Sequence, residues 1–403
     1  MKHIIITLLT LFVFACKQDI KINKLKTGTY RALLKVNETA DLPFNFKVIS
    51  ENKLHILNAE EVIEVDDVTY KNDSVFIRMP VFEGYLVAKI ENNKLVGRFV
   101  KAGLNRVMGF SAEKNRTRFD TSENAKHDIS GNWETVFSPD SDANKYIAKG
   151  IFSQNGNMVT GTFRTTTGDY RYLEGVLDGN QLKLSTFDGA HAFFFSAMVT
   201  DSSMVGTFYS GDHFQEPFVA KRNNTYELPD ANTLTFLKEG YDKVEFSFPD
   251  ETGMMVSLND ARFKNKTVLV QIMGTWCPNC LDESKFYSEF YKNNRDKDIE
   301  IVALAFEYVK TEDAAFSNIK RLKDKTGIAY PVLLAQYGSS SKVKAQEKLP
   351  MLNHVLSYPT TIFIDKKRVV RKIHTGFNGP ATGDKYVAFR KEFEAFVGEV
   401  LNE

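Results

Sequence analysis

Two cysteines separated by two residues, Cys277 and Cys280, are the side chains of this chain best suited to chemistry. They follow a continuous apolar run at residues 267–273 and precede a helix predicted from residue 281 to about residue 291. A cysteine at a helix start lies near unsatisfied backbone N–H groups and the positive end of the helix dipole, and both favour the thiolate. Pro278 suits the first helical turn, where no N–H donor is needed. The spacing lets the two sulfurs bond, so we predict a nucleophile at Cys277 and a resolving thiol at Cys280.

A structural zinc site is the other common use of two cysteines at this spacing. Zinc takes four ligands in such sites, and the third cysteine of the chain, Cys16, lies near the opposite end of the sequence. His191 and His213 have no cysteine or paired carboxylate at ligand spacing. We therefore predict no metal site, and no cofactor other than the redox-active disulfide that Cys277 and Cys280 can form.

The elements around the cysteine pair alternate between strands and helices. We predict a strand at residues 299–306, a helix at 312–326 and a second helical piece at 341–349. A proline then opens an apolar strand that forms a hairpin with residues 369–373, and an amphipathic helix at 385–401 closes the chain. This order predicts an α/β domain at residues 241–403, with a central mixed sheet flanked by helices.

Residues from about 246 to the C-terminus resemble the thiol–disulfide oxidoreductases of the TlpA/ResA type, a membrane-tethered branch of the thioredoxin superfamily. The resemblance covers some 160 residues and is more specific than a Cys-x-x-Cys motif alone. The matching features are the Phe248-Pro249-Asp250 lead-in, the motif Trp276-Cys277-Pro278-Asn279-Cys280, Glu283, and the segment Tyr358-Pro359-Thr360-Thr361.

The resemblance implies roles for several residues. It makes Pro359, which follows Tyr358, the cis-proline beside the active-site disulfide; Pro331 is a competing candidate that lacks the following pair of threonines. It makes Glu283 a modulator of cysteine ionisation, whereas the alternative is a solvated carboxylate on the helix surface. Gln271 stands where thioredoxin has a buried aspartate, and Glu283 is the expected substitute. The resemblance also implies the reductive direction and an unidentified membrane electron donor.

A peroxiredoxin-type peroxidase is a weaker alternative. In that family a threonine or serine lies three residues before a single peroxidatic cysteine and follows a proline. Gly274 occupies that position here, Thr275 is one residue out of register, and the proline is missing. The motif therefore favours thiol–disulfide exchange over peroxide reduction.

The first sixteen residues have the pattern of an export signal. Lys2 is followed by an apolar stretch at residues 4–14, which is too short to span a bilayer. The segment Val13-Phe14-Ala15-Cys16 resembles the lipobox of bacterial lipoproteins, which implies cleavage before Cys16 and lipidation of that residue; a plain secretory signal is the alternative. Residues 17–26 then form a polar tether. We expect the mature protein to be lipid-anchored in the bacterial cell envelope, facing the periplasm or the exterior.

The chain between residues 27 and 223 alternates apolar and polar residues in short runs and predicts an all-β sandwich or barrel region. Two hairpins are predicted at residues 85–99 and 173–187. Similar motifs recur about 103 to 109 residues apart, which predicts an internal duplication with units at about 27–120 and 130–223. A linker at 224–240 follows. We interpret the aromatic side chains of Tyr30, Trp133, Phe193 and Phe195 as core rather than as a ligand pocket.

Composition narrows the choice of partner. The formal net charge is +1, so bulk electrostatics give no indication of nucleic-acid binding. We expect an extracytoplasmic thiol–disulfide oxidoreductase that reduces disulfides of exported proteins. The alternative is an envelope lipoprotein whose β region binds a ligand or partner and whose C-terminal domain is accessory.

Overall fold

The computed structural model describes residues 23–92 and 94–403. The predicted signal segment, the lipidation at Cys16 and the first part of the tether lie outside these residues. Among the helices of the described residues, none is long and apolar enough to cross a membrane.

The front half begins with an antiparallel sheet that curls towards a barrel. Nine strands within residues 23–92 and 94–114 form it, and the edge strands β4 and β5 are joined by a single residue. In chain order the strands are β1 (Gly28–Lys35), β2 (Asp41–Ser50), β3 (Lys53–Asn58), β4 (Glu61–Val65), β5 (Asp67–Lys71), β6 (Ser74–Arg78), β7 (Tyr85–Glu91), β8 (Lys94–Lys101) and β9 (Arg106–Lys114). Inward side chains alternate with outward ones along β1 and β3, as expected for strands with one face buried.

A second sheet of the same size follows and closes on itself, because β11 pairs with both β10 and β12. In chain order its strands are β10 (Gly131–Phe137), β11 (Tyr146–Asn155), β12 (Met158–Thr165), β13 (Gly168–Asp169), β14 (Leu173–Asp178), β15 (Gln181–Phe187), β16 (Ala192–Val199), β17 (Ser203–Ser210) and β18 (Phe214–Arg222). The region therefore contains two separate barrel-like sheets, and both predicted hairpins are present as β7–β8 and β14–β15.

Aromatic side chains fill the second barrel. Trp133, Phe137, Phe163, Phe195 and Phe218 are almost completely buried there. The rings of the four phenylalanines meet in edge-to-face and tilted pairs with centroids 5.0–6.4 Å apart. The barrel interior is therefore a packed core.

A buried cation ties the two barrels together. The guanidinium of Arg118, in the segment between the barrels, donates to the backbone oxygen of Ser185 at 3.1 Å and to that of Leu57. Its Nε lies 3.4 Å from a carboxylate oxygen of Glu174. Asn58 adds a hydrogen bond to the backbone oxygen of Phe187 at 2.9 Å. A buried cation is costly unless it is paired and hydrogen-bonded, so moving the barrels apart would leave Arg118 without these partners. The contacts of Arg118 therefore stabilise the relative position of the two barrels.

The C-terminal domain is thioredoxin-like. A sheet of five strands among the described residues has the order β23–β22–β21–β24–β25, and a short hairpin, β19–β20, precedes it. The strands are β19 (Ser247–Pro249), β20 (Met255–Ser257), β21 (Thr267–Met273), β22 (Ile299–Phe306), β23 (Val332–Gln336), β24 (Thr360–Ile364) and β25 (Val370–Thr375). The helices are α1 (Pro278–Asn293), α2 (Glu312–Thr326), α3 (Lys342–Lys348) and α4 (Asp384–Asn402).

The centre of this sheet positions the cysteine motif. Every residue of β21 is buried, and the strand lies parallel to β22 and antiparallel to β24. The C-terminal end of β21 lies at the edge of the sheet, and the cysteine motif follows it directly in the chain. The predicted helix begins three residues earlier than expected, at Pro278, because the side chain of Cys277 caps it.

The segment between the barrels and the C-terminal domain is attached to that domain. The backbone N–H of Lys238 donates to the backbone oxygen of Met351 at 2.8 Å, and that of Thr375 donates to the backbone oxygen of Ala231 at 3.0 Å. The cores of the first barrel and of the C-terminal domain also belong to one continuous hydrophobic cluster. The predicted linker at residues 224–240 is therefore held against the C-terminal domain by backbone hydrogen bonds.

Candidate active site

The two cysteines lie at the start of α1. Cys277 is the N-cap residue, and its Sγ accepts a hydrogen bond from the backbone N–H of Cys280 at 3.1 Å. The backbone oxygen of Cys277 accepts from the N–H of Leu281 at 3.0 Å, and Pro278 occupies the first helical position. A negative charge on Cys277 Sγ would therefore be met by an N–H donor and by the positive end of the helix dipole.

The two thiols differ in their exposure. Both are free; Cys280 is completely buried, whereas Cys277 keeps 7% of its surface exposed. Burial, and next the neighbouring Cys277, raise the pKa of Cys280 well above its ordinary value. Cys277 is therefore the sulfur that an incoming disulfide can meet, and Cys280 can attack only from the protein side.

The segment before β24 lies against the outer thiol. The peptide bond between Tyr358 and Pro359 is cis, and the Sγ of Cys277 donates to the backbone oxygen of Tyr358 at 3.3 Å. The ring of Trp276 meets the Tyr358 ring edge-on with centroids 5.6 Å apart. The Nε1 of Trp276 donates to the backbone oxygen of Phe306 at 2.9 Å. The structure thus brings together the motif and the proline segment that the sequence placed about eighty residues apart.

Glu283 lies in the interior beneath the cysteines, with none of its surface exposed. Gln271 donates to its carboxylate at 2.8 Å and Thr361 donates at 3.0 Å, with Tyr287 at 3.4 Å. Burial raises the pKa of Glu283 to about 7, against the effect of these hydrogen bonds. The alternative of a solvated carboxylate on the helix surface is therefore wrong. Gln271, on β21, is the residue that holds Glu283 in place.

A second buried carboxylate, Glu307, was not predicted from the sequence. It follows β22 and accepts from the backbone N–H of Thr275 at 2.8 Å and from its hydroxyl at 2.7 Å. Burial raises the pKa of Glu307 to about 7. A charged residue at the end of a mostly apolar strand could have indicated it, because such positions lie at the sheet edge that carries the active site.

The β region covers the cysteine motif, which the sequence also did not reveal. The turn between β12 and β13 reaches the site: the backbone oxygen of Thr167 accepts from the hydroxyl of Ser357 at 2.7 Å. The side chain of Asn279, between the two cysteines, donates to the backbone oxygen of Asp169 at 3.1 Å. A Cβ on Gly168 would lie 1.9 Å from Asn279 Nδ2, and the φ of this residue is +148°, so any other residue would be strained there and would displace Asn279. This turn therefore contacts both the residue between the two cysteines and the segment that precedes the cis-proline.

A buried arginine joins all three parts of the molecule next to the motif. Arg171, 4% exposed, contacts carboxylates of Glu61 in the first barrel and Asp282 in α1, and its Nε lies 3.3 Å from a carboxylate oxygen of Asp188. It also donates to the backbone oxygen of Pro278 at 3.2 Å. The acidic neighbours, Asp282 first, outweigh burial and raise the pKa of Arg171 well above its ordinary value. The start of α1 is therefore fixed to both barrels.

Possible metal ligands are scattered in the structure. In the part of the chain that the structure describes, no three histidine, cysteine, aspartate or glutamate side chains are grouped so that they could hold a metal ion.

Comparison with known proteins places the similarity in the C-terminal part. The Redoxin family profile matches residues 229–388. The chain is 29% identical over 140 residues to the thioredoxin-like protein YneN of Bacillus subtilis, and the matched segment covers 35% of this chain and 73% of that protein. It is 31% identical over 137 residues to the thiol–disulfide oxidoreductase ResA of Bacillus anthracis, covering 33% of this chain and 68% of that protein. A solved thiol–disulfide oxidoreductase from Bacteroides fragilis is 21% identical, with 37% of this chain and 99% of that chain covered and a TM-score of 0.27.

Proposed function

This chain belongs to the TlpA/ResA-like thiol–disulfide oxidoreductases of the thioredoxin superfamily, and from this membership we propose that it reduces disulfide bonds in exported proteins. The observation that carries the proposal is the position of Cys277: its sulfur caps α1, belongs to the less buried cysteine of the pair, and lies 3.3 Å from the backbone oxygen that precedes Pro359. These features suit a nucleophile that binds a substrate sulfur beside the proline segment.

The reaction consists of two exchange steps. The thiolate of Cys277 attacks one sulfur of the substrate disulfide, forms a mixed disulfide and releases the other substrate sulfur as a thiolate. Cys280, once deprotonated, attacks Cys277 Sγ, so that the Cys277–Cys280 disulfide forms and the second substrate thiolate leaves. Two electrons pass to the substrate, and its two thiolates take up the two protons that the cysteine thiols have lost. A membrane electron donor, still to be identified, would return the enzyme to the dithiol.

Glu283 is the group best placed to assist the second step. Its carboxylate lies beneath Cys280, and its charge is among the causes that raise the pKa of that thiol. With a pKa of about 7 it can be protonated or ionised near neutral pH, so it can accept the proton of Cys280. Gln271 cannot exchange protons at neutral pH, and it orients Glu283 through the 2.8 Å hydrogen bond.

We place the enzyme outside the cytoplasm, anchored through a lipid on Cys16. The support is the apolar segment followed by the lipobox-like residues, together with the polar tether up to residue 26. Stable anchoring needs more than one acyl chain, because a single chain binds a bilayer only marginally. Such an anchor would keep the site near a membrane electron donor.

We also propose that the two barrels arose by internal duplication. Gly28 and Gly131 each open the first strand of a barrel with a positive φ, +130° and +110°. Two residues later, Tyr30 and Trp133 each point inwards and donate to the backbone oxygen four residues earlier, at 3.0 Å and 2.9 Å. Equivalent hydrogen bonds at equivalent places in two sheets support a common origin.

Reduction of insulin disulfides tests the proposed activity. The wild-type chain with dithiothreitol should accelerate insulin precipitation, and Cys277→Ser should reduce the rate to that of dithiothreitol alone. Lys292→Gln, an exposed change at the far end of the same helix, serves as the matched control and should retain the wild-type rate. Equal rates for the wild type and Cys277→Ser would refute the proposal.

A further inference from the structure

A cavity of about 250 Å³ lies where the two barrels meet the C-terminal domain, next to the cysteine motif. Trp276, the residue before Cys277, forms part of its wall, together with Tyr308 after β22. The first barrel contributes Phe99 from β8 and Met108 from β9. Aromatic and apolar side chains therefore form part of the lining, and the cavity is built from all three parts of the molecule.

Two cationic side chains and two histidines converge on the same cavity from the barrels. Lys101 and Arg106 come from the first barrel, and His191 and His213 come from the second. In the described residues no carboxylate lies within 4.0 Å of Lys101, Arg106 or His213. The ammonium of Lys101 donates to the backbone oxygen of Ala190 at 2.8 Å. Burial, opposed only in part by neighbouring acidic groups, lowers the pKa of Lys101 to about 8.

The acidic groups in the neighbourhood already have partners or lie in solvent. Asp188 lies 3.3 Å from both Arg171 and His191, and Glu83 accepts from a backbone N–H. Asp212 lines the cavity but is exposed to water. Clustered cations without carboxylate partners destabilise a folded protein, and a bound anion would remove that cost. Lys101 and Arg106 thus have no carboxylate at ion-pair distance among the described residues, and an anionic ligand could supply one.

We infer that this cavity binds an acidic peptide segment of the substrate protein, next to the disulfide that Cys277 attacks. The inference rests on the proposed function and adds the recognition element. An arginine fork and an ammonium group suit a carboxylate, and the apolar wall suits a neighbouring aliphatic or aromatic side chain. The volume is below the roughly 300–1,000 Å³ of pockets that enclose whole small ligands, so one or two side chains of a longer chain fit better than a complete cofactor.

Binding is measured first, without any redox step. A linear peptide that contains glutamate and leucine but no cysteine is titrated into the full chain while tryptophan fluorescence is recorded. Trp276 lines the cavity and Trp133 lies inside the second barrel, so a change in emission reports on the cavity. The glutamate peptide should bind at least about tenfold more tightly than its glutamine counterpart at low salt, and less so at high salt.

Variants test the assigned cations. Arg106→Gln should reduce the preference for the glutamate peptide about tenfold, and Lys101→Met provides a second variant in case the first does not fold. Arg98→Gln is the matched control: it removes an exposed arginine on β8, outside the cavity lining, and should keep the wild-type preference. Equal affinity of the wild type for both peptides, or an unchanged preference in both cavity variants, would overturn the inference.

A single-turnover experiment separates this inference from the proposed activity. The dithiothreitol-reduced chain, freed of reductant, is mixed with peptides that carry one internal disulfide flanked by glutamates or by glutamines, and with glutathione disulfide. Faster reduction of the glutamate-flanked peptide, with a ratio that falls in Arg106→Gln, supports the inference. Selective binding of glutamate peptides without reduction of any disulfide would refute the activity but not the site. A preference for glutathione disulfide over both peptides would overturn the assignment to a polypeptide.

Discussion

Replacing Glu283 by glutamine should change how the stability of the protein depends on pH. The carboxyl group is completely buried, and its pKa rises from the ordinary 4.5 to about 7. Since the pKa is higher in the folded chain, the folded state binds the proton more tightly than the unfolded state. The stability that is fully present below pH 4.5 is therefore lost progressively as the pH rises towards 7 and above.

The expected magnitude follows from the difference between the two pKa values. At about 1.36 kcal/mol for each pKa unit, the ionised carboxylate costs the folded state about 3 kcal/mol above pH 7. Glutamine stays uncharged and fills the same space, so Glu283→Gln should avoid that loss. Relative to the wild type, the variant should gain about 3 kcal/mol of unfolding free energy between pH 4.5 and pH 8.

The assay is reversible chemical denaturation of the wild type and the variant at several pH values. Glu289→Gln, an exposed change on the same helix, is the matched control and should follow the wild-type profile. A difference between the wild type and Glu283→Gln that stays constant from pH 4.5 to pH 8 would refute the reasoning, because it would mean that folding does not raise the pKa of this carboxyl group.

Three further results are expected. Arg171→Met should lower the unfolding free energy by about 3–5 kcal/mol in denaturant titrations, because it removes the shared cation from the buried carboxylate of Asp188 and from the partly buried carboxylates of Glu61 and Asp282. Gly168→Ala should speed the alkylation of Cys277 by iodoacetamide by about tenfold, since an added Cβ collides with Asn279 at a φ of +148° and costs on the order of 1–3 kcal/mol. Cys280→Ser should accumulate a mixed disulfide between Cys277 and the substrate, seen as a mass increase on non-reducing analysis.

Each of these results has a matched control. Arg78→Met breaks an exposed ion pair with Asp67 and should cost at most about 1 kcal/mol of unfolding free energy. A loss as small as this for Arg171→Met would contradict the stabilising role of Arg171. Gly253→Ala places a Cβ in open space at a φ of +82°, so it should leave the alkylation rate unchanged. A stable mixed disulfide on Cys280 in a Cys277→Ser variant would reverse the assigned order of attack.

Local patterns predicted most of the C-terminal domain. The apolar run of β21 and the helical spacing of apolar residues in α2 each depend on burial within one element, so the local sequence is enough to predict them. The helix at residues 312–326 has the predicted bounds because Thr311 caps its start and Gly327, with a φ of +70°, ends it. The strand at residues 332–336 was missed, since Pro331 was considered only as a candidate for the cis-proline position.

Contacts between distant parts of the chain could not be predicted in this way. Arg171 meets Glu61 and Asp282 across about 110 residues, and neither contact leaves a periodic signal in the sequence. The hydrogen bond between Gln271 and Glu283 was likewise not predicted, although both residues had been singled out separately. The contact between the turn at Gly168 and Asn279 depends on how the barrels sit on the C-terminal domain, which the packing of all three parts determines.

The reduction potential of the Cys277–Cys280 couple tests the central claim most directly. The full chain would be equilibrated in defined thiol/disulfide buffers, and the fraction of dithiol measured by alkylation and mass. A potential near or below about −250 mV is expected for an enzyme that passes electrons to the disulfides of exported proteins. A potential near about −120 mV would mark an oxidant that forms disulfides, and would contradict the proposed direction of the reaction.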